Sequence, residues 1–545
     1  MQINGRNIGD GNPSYIIAEM SANHAGSIQH AKEIIHAAKE AGADCLKIQT
    51  YTADTITMKC NNKYFQIGNG TWEGEILYSL YEKAYTPWEW QAELYDTAKK
   101  VGLDFFSTPF DFTAVDFLEE IGMEFYKIAS FELVDIPLIE YVASKGKPII
   151  MSTGMGSLAE IEDAVNAIKK YNCPLALLKC SSAYPAIPDS MNLKTIPNMK
   201  ELFNVPVGLS DHSMGSIAAV TAVALGANVI EKHFCLSRAI ENPDSSFSME
   251  PKEFEEMVKN IRDAERAMGK VCYELTEQEI SSKVFRKSIF VSKDIKKGEK
   301  LTMENIRVVR PGYGTAPKYL SDLLGMTADR DLEMGEPMLF NCLEKNAILF
   351  LTNNENTNEL YEWLSVQEKR VYRIQNKVTA EMIEQLQPSF IVSYNYKYLV
   401  PKEVIEMMRE KIINLHTSYL PYNRGASPNF FSFFDDTPKG VTIHLMSEKL
   451  DTGDILCQKE CYIDENKESF VTSYKTLQEE MMKLFCENWN AIKSGEVIPY
   501  KQSGTGTYHS MKELNLIREA VPFEWDMCIA DFKRKWFAQK LDVVE

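Results

Sequence analysis

At 545 residues the chain is too long for one hydrophobic core, and its length argues for about three or four domains. Its 45% hydrophobic and 25% charged residues are ordinary for a globular protein, while a net charge of -18 argues against nucleic acid or an anionic membrane as the main partner. A local cluster of Lys and Arg inside a cleft could still bind an anionic substrate. The eleven cysteines include no Cys-x-x-Cys pair. Cys457 and Cys461 lie four apart, but their segment reads as a strand edge rather than a metal site. With no signal peptide after Met1 and no apolar run near 18 residues, the expectation is a cytoplasmic chain without a membrane span.

From Ser14 one theme repeats eight times: an apolar run ends in polar residues and an amphipathic helix follows. The runs are Tyr15–Met20, Cys45–Thr50, Asp104–Pro109, Phe125–Ser130, Pro148–Gly154, Leu175–Ser182, Val205–Asp211 and Val229–Phe234. Helical spacing marks Ser27–Ala41, Trp88–Val101, Leu158–Lys170 and Ser216–Leu225, and Gly42, Gly102, Gly122, Gly146 and Gly226 read as stops. Eight such units predict a (β/α)8 TIM barrel, whose active site lies at the C-terminal strand ends. The last two runs with their helix form a parallel βαβ unit, which sends His212 and His233 side by side from one sheet edge. Two such imidazoles can hold a divalent metal with an open position.

The other strand ends carry Glu19, Asn23 and His24; Lys47 and Gln49; Thr108; Lys127, Ser130 and Glu132; Ser152 and Thr153. Later strands add Lys179, Ser182 and Tyr184; Ser210 and Asp211; Glu231 and Lys232. Any one of these could instead cap a helix or sit satisfied inside the barrel, and for Ser152, Thr153, Asp211 and His24 both readings stay open. Lys47 and Lys127 differ, because each lies near the end of an apolar strand and points into the mouth. A buried lysine needs an anion to offset its desolvation. Two lysines with Ser and Thr hydroxyls suggest a phosphate or carboxylate ligand. Glu19 and Glu132 could be the counter-ions or general bases.

The segments Ile-Ile-Ala-Glu-Met-Ser-Ala-Asn-His-Ala-Gly at 16–26, Lys-Ile-Gln-Thr at 47–50 and Ser-Thr-Pro-Phe-Asp at 107–111 resemble the sialic acid synthase family. So do Tyr-Lys-Ile-Ala-Ser-Phe-Glu at 126–132, Ser-Asp-His at 210–212 and Glu-Lys-His-Phe at 231–234. Its pseudaminic acid synthase branch is resembled by Tyr-Thr-Pro-Trp-Glu-Trp at 85–90, Leu-Leu-Lys-Cys-Ser-Ser-Ala-Tyr-Pro-Ala at 177–186 and Pro-Asp-Ser-Ser-Phe-Ser-Met-Glu-Pro at 243–251. The resemblance implies condensation of phosphoenolpyruvate with an aldehyde sugar to a nine-carbon 2-keto acid, with release of phosphate. It implies that His212 and His233 hold a divalent ion, manganese or magnesium, that polarises the aldehyde. Lys47, Thr108, Lys127, Ser130 and Ser210 would bind phosphoenolpyruvate. Glu132 would handle the water, Glu19 would lie near the sugar hydroxyls, and Tyr184 and Asp244 would contact the sugar. The neuraminate branch has Asn where this chain has Ser182, which implies a different N-acyl or hydroxyl contact.

Glu274–Phe285 reads as a polar linker between a barrel over 1–273 and a small module over 286–345. Short strands, glycine turns and Arg310-Pro-Gly-Tyr-Gly resemble the antifreeze-like (SAF) domain of the same family. The resemblance implies that Arg310 reaches the sugar in a neighbouring subunit, hence a domain-swapped homodimer. On residues alone, Arg310 would be a surface arginine before a turn.

Residues 346–545 begin a second α/β pattern, with runs at Ala347–Leu351, Arg370–Ile374, Phe390–Ser393, Lys411–Leu415 and Val441–Leu445. Helices are expected at Glu359–Ser365, Ala380–Leu386 and Lys402–Arg409 around a mostly parallel sheet. Asn414 and His416 alternate along one strand face, and Asp451 could reach His416 from a loop. An amide, an imidazole and a carboxylate can stabilise an oxyanion, move a proton and orient the imidazole, as acyl transfer requires. A polar strand end beside an ordinary Asp-Thr-Gly turn is the alternative. Asn-Leu-His at 414–416, Asp-Thr-Gly-Asp at 451–454, Ser-Tyr-Asn-Tyr-Lys-Tyr-Leu-Val-Pro at 393–401 and Gln-Ser-Gly-Thr-Gly-Thr-Tyr-His at 502–509 resemble formyltransferases that use 10-formyltetrahydrofolate. The resemblance implies a catalytic triad of Asn414, His416 and Asp451, and it departs in a first half that lacks one strand–helix unit. No glycine-rich dinucleotide turn follows the first strand, which argues against NAD.

The combined reading is a bifunctional enzyme making a pseudaminic acid-like sugar acid from phosphoenolpyruvate and an amino sugar and formylating a sugar amine. One rival makes the C-terminal domain a non-catalytic binding or assembly module; another assigns the barrel metal to aldolase or hydrolase work.

Overall fold

The computed structural model describes residues 1–68 and 71–542, and the chain divides into two compact units, Met1–Cys272 and the part from Tyr273 onward. The first unit is a closed barrel of eight parallel strands in sequential order. They are Tyr15–Glu19, Cys45–Thr50, Asp104–Pro109, Tyr126–Ile128, Ile149–Ser152, Leu175–Cys180, Val207–Asp211 and Val229–His233. The last strand closes onto the first, pairing Val229 with Tyr15 and His233 with Glu19. The expected barrel is thus observed. Its strands are buried on both faces, the physical reason they read as continuous apolar runs rather than alternations. Ile16, Leu46, Phe106 and Ile150 are fully buried, each contributing about 1.5–3 kcal/mol relative to exposure.

Local signals set the helices between them. Ser27 accepts from the His30 amide to start Ile28–Glu40, and Asp111 accepts from Thr113 and Ala114 to start Phe112–Ile121. Gly102 and Gly122 end their helices at φ 70° and 83°. One close approach shapes the mouth: a Cβ on Gly208 would lie 2.1 Å from the Val229 carbonyl oxygen. Glycine there lets the strands that carry Ser210 and Glu231 pack together.

In the second unit the expected linker is not featureless. A Thr276–Glu279 capping box starts a helix at Glu277–Ser282, and a 3-10 turn follows at Lys283–Phe285. The module after it pairs Ser288–Val291 with Ile306–Val309 antiparallel. The C-terminal sheet has six strands in the order Val371–Ile374, Ile348–Leu351, Phe390–Tyr394, Ile412–His416, Gly440–Leu445 and Ile455–Glu460. The first four are mutually parallel and the last two antiparallel. The longest helix, Phe470–Ser494, lies beyond the helices expected from sequence, although Leu477, Met481, Leu484, Phe485 and Ile492 bury one face at helical spacing.

Strand alternation splits this sheet between two cores. Ile348, Phe350, Phe390 and Val392 pack with the long helix through Phe485 and Trp489. Leu349, Leu351, Ile374 and Ile391 share a continuous core with Leu323, Met326, Met338 and Phe340 of the module. The small module therefore completes the cover of one sheet face, where an α/β fold needs an apolar layer. Asp322 stitches the seam: it is buried, and its carboxylate accepts from the Gln375 amide (2.8 Å) and from Asn376 Nδ2 (3.0 Å). Tyr319 donates its hydroxyl to the Lys377 carbonyl at 3.1 Å. Asp322→Ala leaves these donors unpaired and is expected to cost about 1–3 kcal/mol in denaturant unfolding. A change within about 0.3 kcal/mol would contradict a continuous core held by this contact.

Two candidate active sites

The barrel strands deliver their terminal side chains to one buried charge chain. Lys47 Nζ lies 3.1 Å from Glu19 Oε2 and 3.0 Å from Glu231 Oε1. Lys127 Nζ donates to Ser152 Oγ at 2.6 Å and to the Ile128 carbonyl at 3.0 Å, and lies 3.9 Å from Glu231 Oε2. Ser210 donates to Glu231 Oε1 at 3.2 Å, and Gln49 donates to Glu19 Oε1 at 2.9 Å. Glu231, on the last strand, is therefore the carboxylate between the two lysines. The counter-ions are Glu19 and Glu231 rather than Glu19 and Glu132. Among the described residues Glu132 joins no ion pair, and one of its oxygens is buried without a partner.

Burial and neighbours divide the ionisations. Burial raises the Glu19 carboxyl to about 7 against the pull of Lys47. Burial also raises Glu132 to about 7 and lowers Lys127 to about 8. Burial alone would raise Glu231, but Lys127 and Lys47 outweigh it and hold the carboxyl below its usual range. Burial works against the Lys47 ammonium too, yet Glu19 and Glu231 keep it charged. These environments push two carboxyls and one amine toward neutral pH, where proton transfer is easiest.

His212 and His233 sit side by side with ring centroids 5.4 Å apart. A second buried ion pair places the His212 loop: Lys232 lies 2.7 Å from Asp211 Oδ2 and donates to the Ser213 and Gly215 carbonyls. Asp211 and Lys232 thus build the loop. His24 likewise has a local role, accepting from the Gly26 amide at 3.1 Å. His212 Nδ1 faces the Ser181 carbonyl at 3.1 Å, whereas His233 Nδ1 is buried without a partner. Burial, reinforced by the His212 charge, pushes His233 well below the usual imidazole range, so the ring is held neutral with one acceptor nitrogen. Among the described residues no group of three His, Cys, Asp or Glu side chains is placed to hold a metal.

Tyr184 packs its ring 4.3 Å from His212 and 5.2 Å from Phe247. Trp72, unnoticed in the sequence, lies 5.5 Å from Tyr184 and donates its indole N–H to the Pro243 carbonyl at 3.0 Å. Asp244 is buried and accepts from the Ala22 amide at 3.2 Å. Ser130 and Ser182 converge on Gly154, where an added Cβ would lie 2.7 and 2.2 Å from their hydroxyls. Thr108 Oγ1 is buried without a partner. Arg310, in the second unit, is exposed just after the strand Ile306–Val309.

The second site lines a cavity of about 980 Å³ in the C-terminal sheet domain, bounded by Tyr396, Tyr398, Asn414, His416, His444 and Asp451 among others. Asp451 reaches the strand pair as expected, from a left-handed backbone at φ 51°. Its Oδ1 accepts from Asn414 Nδ2 at 3.1 Å, and its Oδ2 accepts from the Gly425 amide at 2.9 Å and lies 3.6 Å from His416 Nδ1. Burial would raise this carboxyl, but the neighbouring His416 and the Gly425 amide hold it well below the usual carboxylate range. Burial lowers His416 in spite of Asp451. Gln502 holds the loop by donating to the Asp451 and Gly453 carbonyls (2.9 and 2.8 Å) and accepting from Arg424. Gly453 has no room for a side chain, since a Cβ would lie 1.7 Å from the Leu445 carbonyl oxygen. His444 was missed, although Thr442 and His444 alternate in an apolar strand and register sets His444 opposite Asn414.

Residues 34–273 match the NeuB family, 286–344 the SAF domain and 347–488 the formyl transferase domain. The chain is 47% identical over 325 residues to the pseudaminic acid synthase of Campylobacter jejuni, covering 59% of this chain and 95% of that one. It is 42% identical over 336 residues to the Helicobacter pylori pseudaminic acid synthase, covering 61% and 99%. The chain belongs to the NeuB family. Beyond the family's barrel and SAF domain it carries a formyl transferase domain. A formyltransferase structure from Anoxybacillus kamchatkensis, in complex with UDP-4,6-dideoxy-4-formamido-L-AltNAc and tetrahydrofolate, is similar at 35% identity. It covers 34% of this chain and 97% of its own, with a TM-score of 0.32. No helix among the described residues is long and apolar enough to cross a membrane.

The Glu19 environment gives a signed pH dependence. Its folded-state carboxyl, raised to about 7, holds a proton that the unfolded chain releases near its ordinary 4.5. The resulting stabilisation is full below that ordinary value and lost as pH rises through about 7. Wild type should therefore lose stability relative to Glu19→Gln between about pH 5 and about pH 8. A difference in melting temperature that stays flat over that range contradicts the raised carboxyl.

Proposed function

We propose that the barrel condenses phosphoenolpyruvate with the open-chain form of a diacetamido-trideoxy hexose, or its N-formyl analogue, giving a pseudaminic acid-type 2-keto sugar acid and phosphate. The observation that carries this reading is the buried Lys47–Glu231–Lys127 chain beside the paired imidazoles. Two ammonium groups in a water-poor mouth are costly unless an anion completes them, and a substrate with phosphate and carboxylate groups does so. Thr108, Ser130 and Ser210 add hydroxyls around the same anion, and the unpartnered Thr108 Oγ1 suits a phosphate or carboxylate oxygen. Ser182, Tyr184 and Asp244 contact the sugar, with Arg310 supplied across a domain-swapped homodimer. Trp72, Tyr184 and Phe247 form an apolar wall that suits a deoxygenated sugar better than a fully hydroxylated one.

The unpartnered Nδ1 of His233 beside His212 fits a divalent ion, manganese or magnesium, which when bound would polarise the sugar aldehyde. The C3 carbon of phosphoenolpyruvate adds to that carbonyl, water adds at C2, and the phosphate group leaves. Glu132, neutral below about 7 and charged above it, manages the proton of that water. Glu19, its carboxyl likewise near 7, serves the sugar hydroxyls.

The C-terminal domain transfers a formyl group from 10-formyltetrahydrofolate to a sugar amine. The family match and the Asn414–Asp451–His416 cluster lining one large cavity support this. Nε2 of His416 faces the Asn423 carbonyl at 3.0 Å and therefore carries the hydrogen, which leaves Nδ1 as the proton acceptor beside Asp451.

Purified full-length protein supplied with phosphoenolpyruvate and a diamino-trideoxy sugar panel, with and without the formyl donor, tests both activities by mass spectrometry. Phosphate release is expected only with both synthase substrates and is lost on chelation, while formamide forms independently of the chelator. His416→Ala should cut formyl transfer by about 100-fold or more with the synthase rate unchanged. Formamide formation by wild type is the discriminator against an inactive C-terminal domain. Truncation at 345 is not, because it strips the SAF module of half its shared core.

A further inference from the structure

Four polar groups meet where the family pattern has three. His444 is buried on the strand Gly440–Leu445 and lines the cavity. Its Nδ1 faces the Leu445 carbonyl at 2.8 Å, and its Nε2 lies 3.4 Å from Asn414 Nδ2 and 3.5 Å from Asp451 Oδ1. A carbonyl oxygen can only accept, so Nδ1 carries a hydrogen and Nε2 is the ring atom turned toward the Asn414 amide. Asp451 Oδ1 is an acceptor. The end of the Asn414 amide that faces Asp451 Oδ1 is therefore the NH2 end, and its second hydrogen is within reach of His444 Nε2. Asn414 is half-buried and lines the cavity, and its Oδ1 makes no hydrogen bond among the described residues.

We propose that His444 is a positioning residue of the formyl-transfer site. Together with Asp451 it fixes the Asn414 amide so that Oδ1, not Nδ2, is the atom offered to the cavity. The inference rests on the formyltransferase reading above. Oδ1 accepts one N–H of the neutral sugar amine and turns the amine lone pair toward the formyl carbon. The new C–N bond forms as the bond from the formyl carbon to the tetrahydrofolate nitrogen breaks. The amine proton passes to Nδ1 of His416 and from there to the departing nitrogen. Without the His444 acceptor the amide is held by Asp451 alone, and the amine loses its orientation rather than its binding site.

The groups facing the His444 ring are Asp451, Asn414, the Leu445 carbonyl and, at 6.3 Å between centroids, His416. Its backbone also sits opposite Asn414 in the antiparallel ladder, so the pair is set by strand register rather than by a flexible loop.

The test uses the full-length chain, whose synthase activity reports independently on folding. His444→Leu keeps the bulk and removes the acceptor, whereas His444→Gln restores an acceptor oxygen. His444→Leu is expected to lower formyl-transfer kcat by about 10-fold or more, with KM for both formyl-transfer substrates changed less than about 3-fold. His444→Gln should return kcat to within about 3-fold of wild type, and both variants should keep the wild-type synthase rate. A His444→Leu kcat within about 2-fold of wild type overturns the proposal, as does a His444→Gln variant no better than His444→Leu. Absence of formyl transfer in wild type would instead remove the reading beneath it.

Discussion

The barrel site depends on one carboxylate. Glu231 stands between Lys47 and Lys127, and it is what lets two ammonium groups remain in a closed, water-poor mouth. Without it, desolvation would deprotonate one lysine or pull it away, because a buried unpaired charge costs several kcal/mol. Lys127, already lowered to about 8, shows how narrow the margin is. One negative charge shared by two cations leaves the site short of anions, and Glu19, which burial drives toward neutrality, supplies only part of the remainder. A charged substrate would complete the balance.

The fold brings these groups together through packing choices away from the chemistry. Gly208 lets the last two strands approach, and the buried Asp211–Lys232 pair anchors the loop that presents His212. In the second unit a similar economy operates on a larger scale. One face of the C-terminal sheet is covered by the long helix and the other by the helices Ala380–Leu386 and Lys402–Met408 together with the SAF module. Core residues of the module pack into that second face beside these helices. SAF and formyl transferase segments, two matches in sequence, are thus one piece of packed protein.

The barrel was legible in the sequence because each strand is a continuous apolar run and each helix carries its own cap or glycine stop. Lys47 and Lys127 were legible because charge inside such a run is anomalous. Glu231 lies in a run of the same kind but read only as one polar strand end among several; the closure of strand eight onto strand one brings it to Lys47. The linker hid a helix whose residues apart from Ile280 are polar, so that only the capping box marks it. His444 and Gln502 were invisible as site residues for a different reason: what they touch is set by strand register and by a loop returning from about 50 residues away. Periodicity reads faces, not partners across a sheet.

The most direct measurement is calorimetric binding of phosphoenolpyruvate to the full-length protein and to Lys47→Met and Lys127→Met. Each substitution removes one buried ammonium while keeping the length of the side chain. The account predicts that wild type binds and that each variant weakens binding by about 100-fold or more, with the fold retained by circular dichroism. Binding unchanged in both variants would contradict it, since the lysines would then be structural partners of Glu19 and Glu231 and nothing more.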